Sequence, residues 1–207
     1  MRSISIAIAM LIAVAVPASA ANIVELWDQA KPPPKPELQP AAVKAATTAL
    51  LILDMQENSC NAERRPRCVE AVPAMADFLT KARSAAMPVV YSNTSSGSRE
   101  TILSALKPQD SEPIVNASVN KFYGTELDKI LKDKGVDTVI VCGTTSFGAA
   151  LHTATGAAAR GYNVIFPVDC VPGSSLYEEQ LTVWSAINGP GTRRATTATT
   201  LGAIKIE

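Results

Sequence analysis

The chain has 207 residues, of which 47% are hydrophobic and 18% are charged. Nineteen Lys and Arg residues balance nineteen Asp and Glu residues, so the basic surplus typical of nucleic-acid-binding proteins is missing. The one histidine, His152, excludes mechanisms that need a His pair and most zinc sites. These values predict a globular protein of one domain, or at most two small ones, without a nucleic-acid partner or a bound metal.

The first twenty residues predict a secretory signal peptide. Arg2 precedes an apolar run from Ile4 to Val16, and small residues follow it up to Ala20, where we expect cleavage. The run has about thirteen residues, whereas a membrane-spanning helix needs about twenty. We therefore expect an exported protein, periplasmic or secreted, without a membrane span. The alternative is a buried N-terminal helix.

Strands and helices alternate along the rest of the chain. Residues 21–47 include the run Pro32-Pro33-Pro34-Lys35-Pro36 and predict an N-terminal arm on the surface, followed by one domain over 48–207. In that domain we predict strands over 48–55, 88–93, 137–142, 162–169 and 196–206, and helices over 69–86, 101–107, 124–134, 146–160 and 177–187. Continuous apolar strands are typical of a parallel sheet that is buried on both faces. The alternation predicts a three-layer α/β sandwich with a mostly parallel central sheet.

Four cysteines remain after the signal peptide, and export makes disulfides the expected state. Cys60 and Cys68 flank a short polar loop, and a bridge between them would stabilise the fold by about 2–3 kcal/mol. Cys142 and Cys170 each lie at the end of a predicted strand. They are either a second bridge or two buried free thiols.

Three segments follow predicted strands at the sheet edge where α/β proteins bind ligands. Asp54 ends the first strand, and burial there would raise its pKa and suit it to acid–base chemistry. Its alternative role is to cap the next turn. The loop Gly143–Gly148 leads into a helix whose first N–H groups can hold an anion, and Asp169 ends the next strand. The same loop partly resembles the G-x-S-x-G serine elbow, but it lacks the first glycine, and His152 is too close in sequence to Ser146 to act as its base.

Three motifs together resemble the isochorismatase-like hydrolase superfamily. They are TALLILDMQ at 48–56, KFYGTEL at 121–127, and VIVCGTTSFGAALHTA with the following AAARGYNVIFPVD at 139–169. The resemblance extends over about residues 45–206. It implies the family's α/β fold, a small-molecule substrate, no cofactor and a homo-oligomer. The family's nicotinamidase branch holds a metal with Asp and His residues, but His152 lies on the wrong segment, so no metal is expected.

The chain departs from the family pattern at the nucleophile. The family's usual machinery is an Asp, a Lys and a Cys, and the Asp matches Asp54. The Cys lies six residues after the loop glycine, which is Gly143 here, and that count reaches Ala149. The resemblance therefore implies chemistry without a thiolate, closer to the isochorismatases, whose Asp protonates an enol ether before water completes hydrolysis.

The family's lysine position is also changed. It lies six residues before the Phe of the helix-start motif, and counting back from Phe122 reaches Asn116, while Lys121 is adjacent to that Phe. We predict Asp54 and Lys121 as catalytic residues. The predicted substrate-binding residues are Gln56, Asn116, Phe122, Ser146, Phe147, Gly148 and Ala149. The alternative function is a non-catalytic small-molecule-binding protein on the same fold.

Overall fold

The computed structural model describes residues 20–207, so all but the last residue of the predicted signal peptide lies outside the described residues. The described chain belongs to two compact units, one ending at Pro34 and one spanning Lys35–Glu207. From residue 20 to Pro34 every residue is exposed, and one 3₁₀ turn, Trp27–Gln29, is formed. Among the residues described, no helix is long and apolar enough to cross a membrane.

The unit from Lys35 onward is an α/β domain, as predicted. Its strands are β1 Ala41–Val43, β2 Thr48–Leu53, β3 Val89–Asn93, β4 Ile114–Asn116, β5 Thr138–Gly143, β6 Asn163–Pro167, β7 Thr196–Thr199 and β8 Ile204–Ile206, and its α-helices are α1 Pro66–Ser84, α2 Leu127–Asp133, α3 Leu151–Ala158 and α4 Leu176–Asn188. Six strands form one sheet in the order β4-β3-β2-β5-β6-β7, and all of its pairings are parallel.

The strand order indicates where along the sheet a ligand binds. The chain runs outward from β2 to β3 and β4 and then returns to β5 on the other side of β2. Ligands in such sheets bind at this switch point, beyond the carboxyl ends of the strands. Every residue of β2 is buried, as its unbroken apolar run predicts, and each buried aliphatic side chain contributes about 1.5–3 kcal/mol. The two central strands therefore form a fixed base for the loops that follow them.

The ends of the domain differ from the prediction. The predicted final strand is two strands, separated by a 3₁₀ turn at Leu201–Ala203. The second of them, β8, pairs in parallel with β1 to form a separate two-stranded sheet. β1 lies within residues 21–47, which we predicted as an arm, but Ala41 and Val43 are buried in the core. A three-residue strand is too short to show a periodic pattern, so only its partner in space reveals it.

Two internal elements also differ. The short helix predicted over 101–107 is replaced by two 3₁₀ turns, Arg99–Thr101 and Ser104–Leu106. The helix predicted over 146–160 begins with a wide, π-type turn, Ser146–Ala150, before α3. Gly148 in this turn has the non-helical angles φ −98° and ψ −108°. The alanine-rich composition predicts a helix but gives no sign of this distortion.

Both cysteine pairs are disulfide-bonded. The Cys60–Cys68 bridge is confirmed and closes the loop before α1. Cys142 and Cys170 form a second bridge, which settles the question that the sequence left open. This second bridge joins the end of β5 to the segment after β6, next to the loop that begins at Gly143.

Candidate active site

Asp54 stands at the switch point, directly after β2. Its backbone adopts φ +52°, a left-handed conformation that Asp tolerates better than most residues. The turn is held because the Asp54 N–H donates to Ser92 O (3.0 Å) and its carbonyl accepts from the Gln56 N–H (2.8 Å). Strained backbone of this kind is frequent at functional sites, and Asp54 lines a cavity here.

The Asp54 carboxylate is held by two side chains from neighbouring segments. Ser92, at the end of β3, donates its hydroxyl to Oδ1 at 2.9 Å. Lys121 places its Nζ 2.7 Å from Oδ2. The side chain of Lys121 is 0% exposed and that of Asp54 is 8% exposed. The two charges therefore form a buried ion pair, which is costly unless every donor and acceptor has a partner.

The ammonium group of Lys121 has partners beyond Asp54. Its Nζ donates to the carbonyl oxygens of Ala117 (2.9 Å) and Ser118 (2.7 Å), with Asn93 O at 3.3 Å. Asn116, which occupies the family's lysine position, instead donates its side-chain amide to the carbonyl of a loop glycine (2.8 Å). The cation beside Asp54 thus comes from Lys121, five positions later in the chain.

Burial shifts both titrating groups toward their neutral forms. The pKa of Asp54 is raised because burial disfavours the carboxylate, and the charge and hydrogen bond of Lys121 only partly oppose this. The pKa of Lys121 is lowered because burial disfavours the ammonium, with Asp54 acting in the opposite direction. A carboxyl with a raised pKa can act as a general acid closer to neutral pH than an ordinary aspartate.

The cavity beside Asp54 has a volume of about 220 Å³. Its wall is polar and apolar in nearly equal parts. It comes from five segments of the chain: Asp54, Asn58, Ser59, Arg64, Arg65, Thr94, Ser118, Val119, Thr144, Thr145, Gly148 and Ala149. Ala149 thus lies on the same wall as Asp54, where the resemblance implies a nucleophilic cysteine. Its methyl group can contact a ligand but cannot attack one.

The predicted anion-holding turn contributes fewer donors than the sequence indicates. The Ser146 N–H donates to Pro172 O and the Gly148 N–H donates to Thr145 O, both at 3.0 Å. These two N–H groups are therefore engaged within the protein and are not available to an oxyanion. Of the four residues predicted here to bind substrate, Gly148 and Ala149 line the cavity, whereas Ser146 is fully buried outside it and Phe147 is 46% exposed.

We predicted that Gln56, Asn116 and Phe122 contact substrate, but none of them lines the cavity beside Asp54. Gln56 is fully buried, and its side-chain amide bridges Thr101 Oγ1 (2.6 Å) and the Thr94 N–H (3.0 Å). It braces two loops instead. Phe122 stacks on Tyr162 at 6.0 Å in the core. Neither role is visible in sequence, because each depends on a partner distant in the chain.

Two further candidates from the sequence lie away from the cavity wall. Asp169 accepts the Leu201 N–H with both carboxylate oxygens, at 2.9 and 3.2 Å, and so fixes the turn before β8. His152 is exposed near the start of α3. Ser92 was not among the predicted site residues, although it lies near the end of a predicted strand at the same sheet edge as Asp54. Arg64 and Arg65, which lie between two cysteines predicted to form a bridge, were not among them either.

Comparison with known proteins agrees with this architecture. Residues 48–199 match the family model of the isochorismatase domain. The isochorismatase family protein YecD of Escherichia coli O157:H7 is 27% identical over 157 residues, which is 64% of this chain and 84% of YecD. The crystal structure of an isochorismatase family protein from Desulfovibrio vulgaris has a TM-score of 0.67 at 24% identity and covers 76% of this chain and 96% of its own. The crystal structure of N-carbamoylsarcosine amidase from Thermoplasma acidophilum has a TM-score of 0.64 at 23% identity, and the match covers 75% of this chain and 96% of the amidase chain. At these identities the two structures show a shared fold.

Proposed function

The chain belongs to the isochorismatase family of hydrolases, and from this premise we propose that it hydrolyses a small molecule through Asp54 and Lys121 without a cysteine nucleophile. The observation that carries the proposal is the buried ion pair of 2.7 Å between these residues, one member of which lines the cavity. Burying two charges is expensive, and a purely structural role does not require placing the pair at the ligand-binding edge of the sheet.

The state of the cysteines supports a reaction without a thiolate. All four cysteines of the sequence are in disulfides, and a disulfide sulfur cannot act as the attacking thiolate. Ala149, at the family's nucleophile position, carries only a methyl group into the cavity wall. The carbon–oxygen or carbon–nitrogen bond must then be broken by proton transfer and water.

Asp54 is the group that would transfer the proton. With an enol ether, protonated Asp54 gives its proton to the vinyl carbon. Water then adds to the oxocarbenium ion and returns a proton to Asp54, and the hemiketal that forms breaks its carbon–oxygen bond to release the alcohol and a carbonyl product. With an amide, ionised Asp54 takes a proton from the attacking water and gives it to the nitrogen as the carbon–nitrogen bond breaks, so that an amine and a carboxylic acid are released. In both cases Lys121 stabilises the carboxylate form of Asp54. General acid–base assistance of this kind is worth about 10²–10⁴-fold in rate.

We also propose export and a homo-oligomer. Two disulfides and the N-terminal signal pattern are typical of an oxidising compartment. Tyr177 and Trp184 on α4 are 63% and 46% exposed, which suits contact with a second copy. Mass spectrometry of the exported chain should find Ala21 as its first residue, and light scattering should give more than the monomer mass.

The test is a hydrolase screen on the purified mature protein with its disulfides intact. The panel contains small enol ethers, amides and esters, with Asp54→Asn as the control. Turnover that disappears in Asp54→Asn supports the proposal. Turnover that is equal in the two proteins would come from a contaminant or from another site, and would refute the role of Asp54.

A second function is favoured by one specific observation. Lys121 Nζ has four oxygen atoms within 3.3 Å, so its donors are already engaged, as in a structural lysine. A binding protein that keeps the cavity without chemistry would have the same arrangement. No turnover across the panel, together with a ligand that raises the melting temperature, would select this alternative.

A further inference from the structure

We propose that Arg64 and Arg65 form an anion-binding wall of the cavity and that the molecule bound there carries a carboxylate. The inference deepens the proposed function by naming a substrate class, but binding of the anion does not require turnover. Both arginines line the same cavity as Asp54. They lie in the loop that the Cys60–Cys68 disulfide closes.

The loop is built to hold the two arginines in place. The disulfide brings the Cα atoms at its ends within 5.4 Å. Inside it, the side chain of Asn61 accepts the Arg64 N–H at 2.9 Å, and the Asn61 carbonyl accepts the Arg65 N–H at 2.8 Å. The backbone of both arginines is therefore fixed before any ligand arrives, which lowers the entropy cost of binding.

The guanidinium groups are held by neutral acceptors only. Arg65 donates to Ser59 O (2.5 Å) and Ser174 Oγ (3.2 Å), and Arg64 donates to Asn58 O (3.3 Å). Within residues 20–207 neither arginine forms an ion pair. Because a guanidinium has five N–H donors, each retains donors beyond these contacts.

The charges around the cavity favour an anion. Asp54 is the one acidic side chain among the described residues of the wall, and Lys121 already balances it. The two arginines thus give the cavity a net positive charge. Glu178 is outside the cavity wall, and its negative charge attracts Arg65. Its carboxylate accepts the Ser174 N–H at 2.8 Å.

A carboxylate on a small molecule fits both the chemistry and the size. Planar guanidinium groups bind carboxylates through paired hydrogen bonds. The volume of about 220 Å³ is below the roughly 300–1,000 Å³ of sites for drug-sized ligands. A substrate with its carboxylate on the arginines would place its other end toward Asp54. Arg64, being exposed, would also attract the anion from solution.

The experiment compares matched acids and amides on the intact, disulfide-bonded mature chain. The probes are N-acetylglycine against N-acetylglycinamide and propanoate against propanamide, measured by ligand-observed NMR at fixed ionic strength, because charge interactions are screened by salt. The variants are Arg64→Gln and the double variant Arg64→Gln/Arg65→Gln. Arg193→Gln is the matched control, since Arg193 is exposed and outside the cavity wall.

We expect each acid to bind about tenfold more tightly than its amide, and Arg64→Gln to weaken the acids by about tenfold, as for one charged hydrogen bond. Arg193→Gln should change neither. Equal binding of acids and amides, failure of every acid to bind, or acid binding unchanged in the double variant would each overturn the inference. Acid binding that depends on the arginines, in a protein without turnover, would uphold the anion site while the proposed hydrolysis fails.

Discussion

The ion pair between Asp54 and Lys121 predicts a strong, non-additive loss of stability when either partner is removed. Lys121→Met leaves a carboxylate that is 8% exposed without its counter-charge and removes the donor to three carbonyl oxygens. Breaking a buried pair in this way costs about 3–5 kcal/mol. Asp54→Asn should cost less, about 1–3 kcal/mol, because the ammonium keeps its three carbonyl acceptors.

The double variant Asp54→Asn/Lys121→Met should cost less than the sum of the two single changes, by about 1–3 kcal/mol. Removing both charges together leaves no unpaired ion in the site. Urea unfolding without reductant gives the free energy of unfolding of the wild type, the two single variants and the double variant. The slope m of that free energy against urea concentration should be the same in all four. The loss is measurable because the free energy of unfolding of a typical domain is only about 5–15 kcal/mol.

The loss of stability in Lys121→Met should also depend on pH. The pKa of Asp54 is already raised by burial, and Lys121→Met removes the charge that opposes this rise. A folded-state pKa above the unfolded value means that the folded protein binds the proton more tightly. The stability loss in Lys121→Met should therefore be largest near neutral pH and shrink as the pH falls through the folded pKa of Asp54, toward about 4.

Two results would refute this reasoning. Additivity of the two single changes within about 0.5 kcal/mol would show that the side chains do not interact in the folded protein. A loss in Lys121→Met that is the same at pH 5 and at pH 7.5 would show that the carboxylate does not respond to losing its partner. Ser104→Ala changes an exposed residue at the start of a 3₁₀ turn and is a control that should show neither effect.

Three further predictions follow from the same region. Ser92→Ala removes the donor to Asp54 Oδ1, so it should cost about 1 kcal/mol and raise the pKa of Asp54; the limb of the pH–activity profile that reports Asp54 should move to higher pH. Ala149→Cys places the chain's one free thiol on the cavity wall, and it should react with iodoacetamide where the wild type does not; an unreactive thiol would contradict the position of Ala149. Replacing both Cys142 and Cys170 by Ala opens a bridge of 28-residue separation and should cost about 3–4 kcal/mol, measured by urea unfolding.

The sequence determined the fold class and the position of Asp54 at the edge of the sheet. Unbroken apolar runs such as Thr48–Leu53 fix central parallel strands because only a sheet covered on both faces buries every side chain of the run. A polar residue that directly follows such a strand lies at the ligand-binding edge, which is how Asp54 was found. The spacing of Cys60 and Cys68 was sufficient to predict their bridge, since so short a loop brings its own ends together.

Only the tertiary structure decided which residues meet Asp54. The family resemblance made Lys121 a candidate, whereas nothing in the sequence pointed to Ser92. The two residues are 67 and 38 positions away from Asp54 in the chain, and sequence spacing does not give the path of the loops that bring them together. The same holds for β1 with β8 and for the arginines on the cavity wall. Local patterns fix elements because they depend on neighbours along the chain, whereas a site is built from loops whose paths are set by packing of the whole domain.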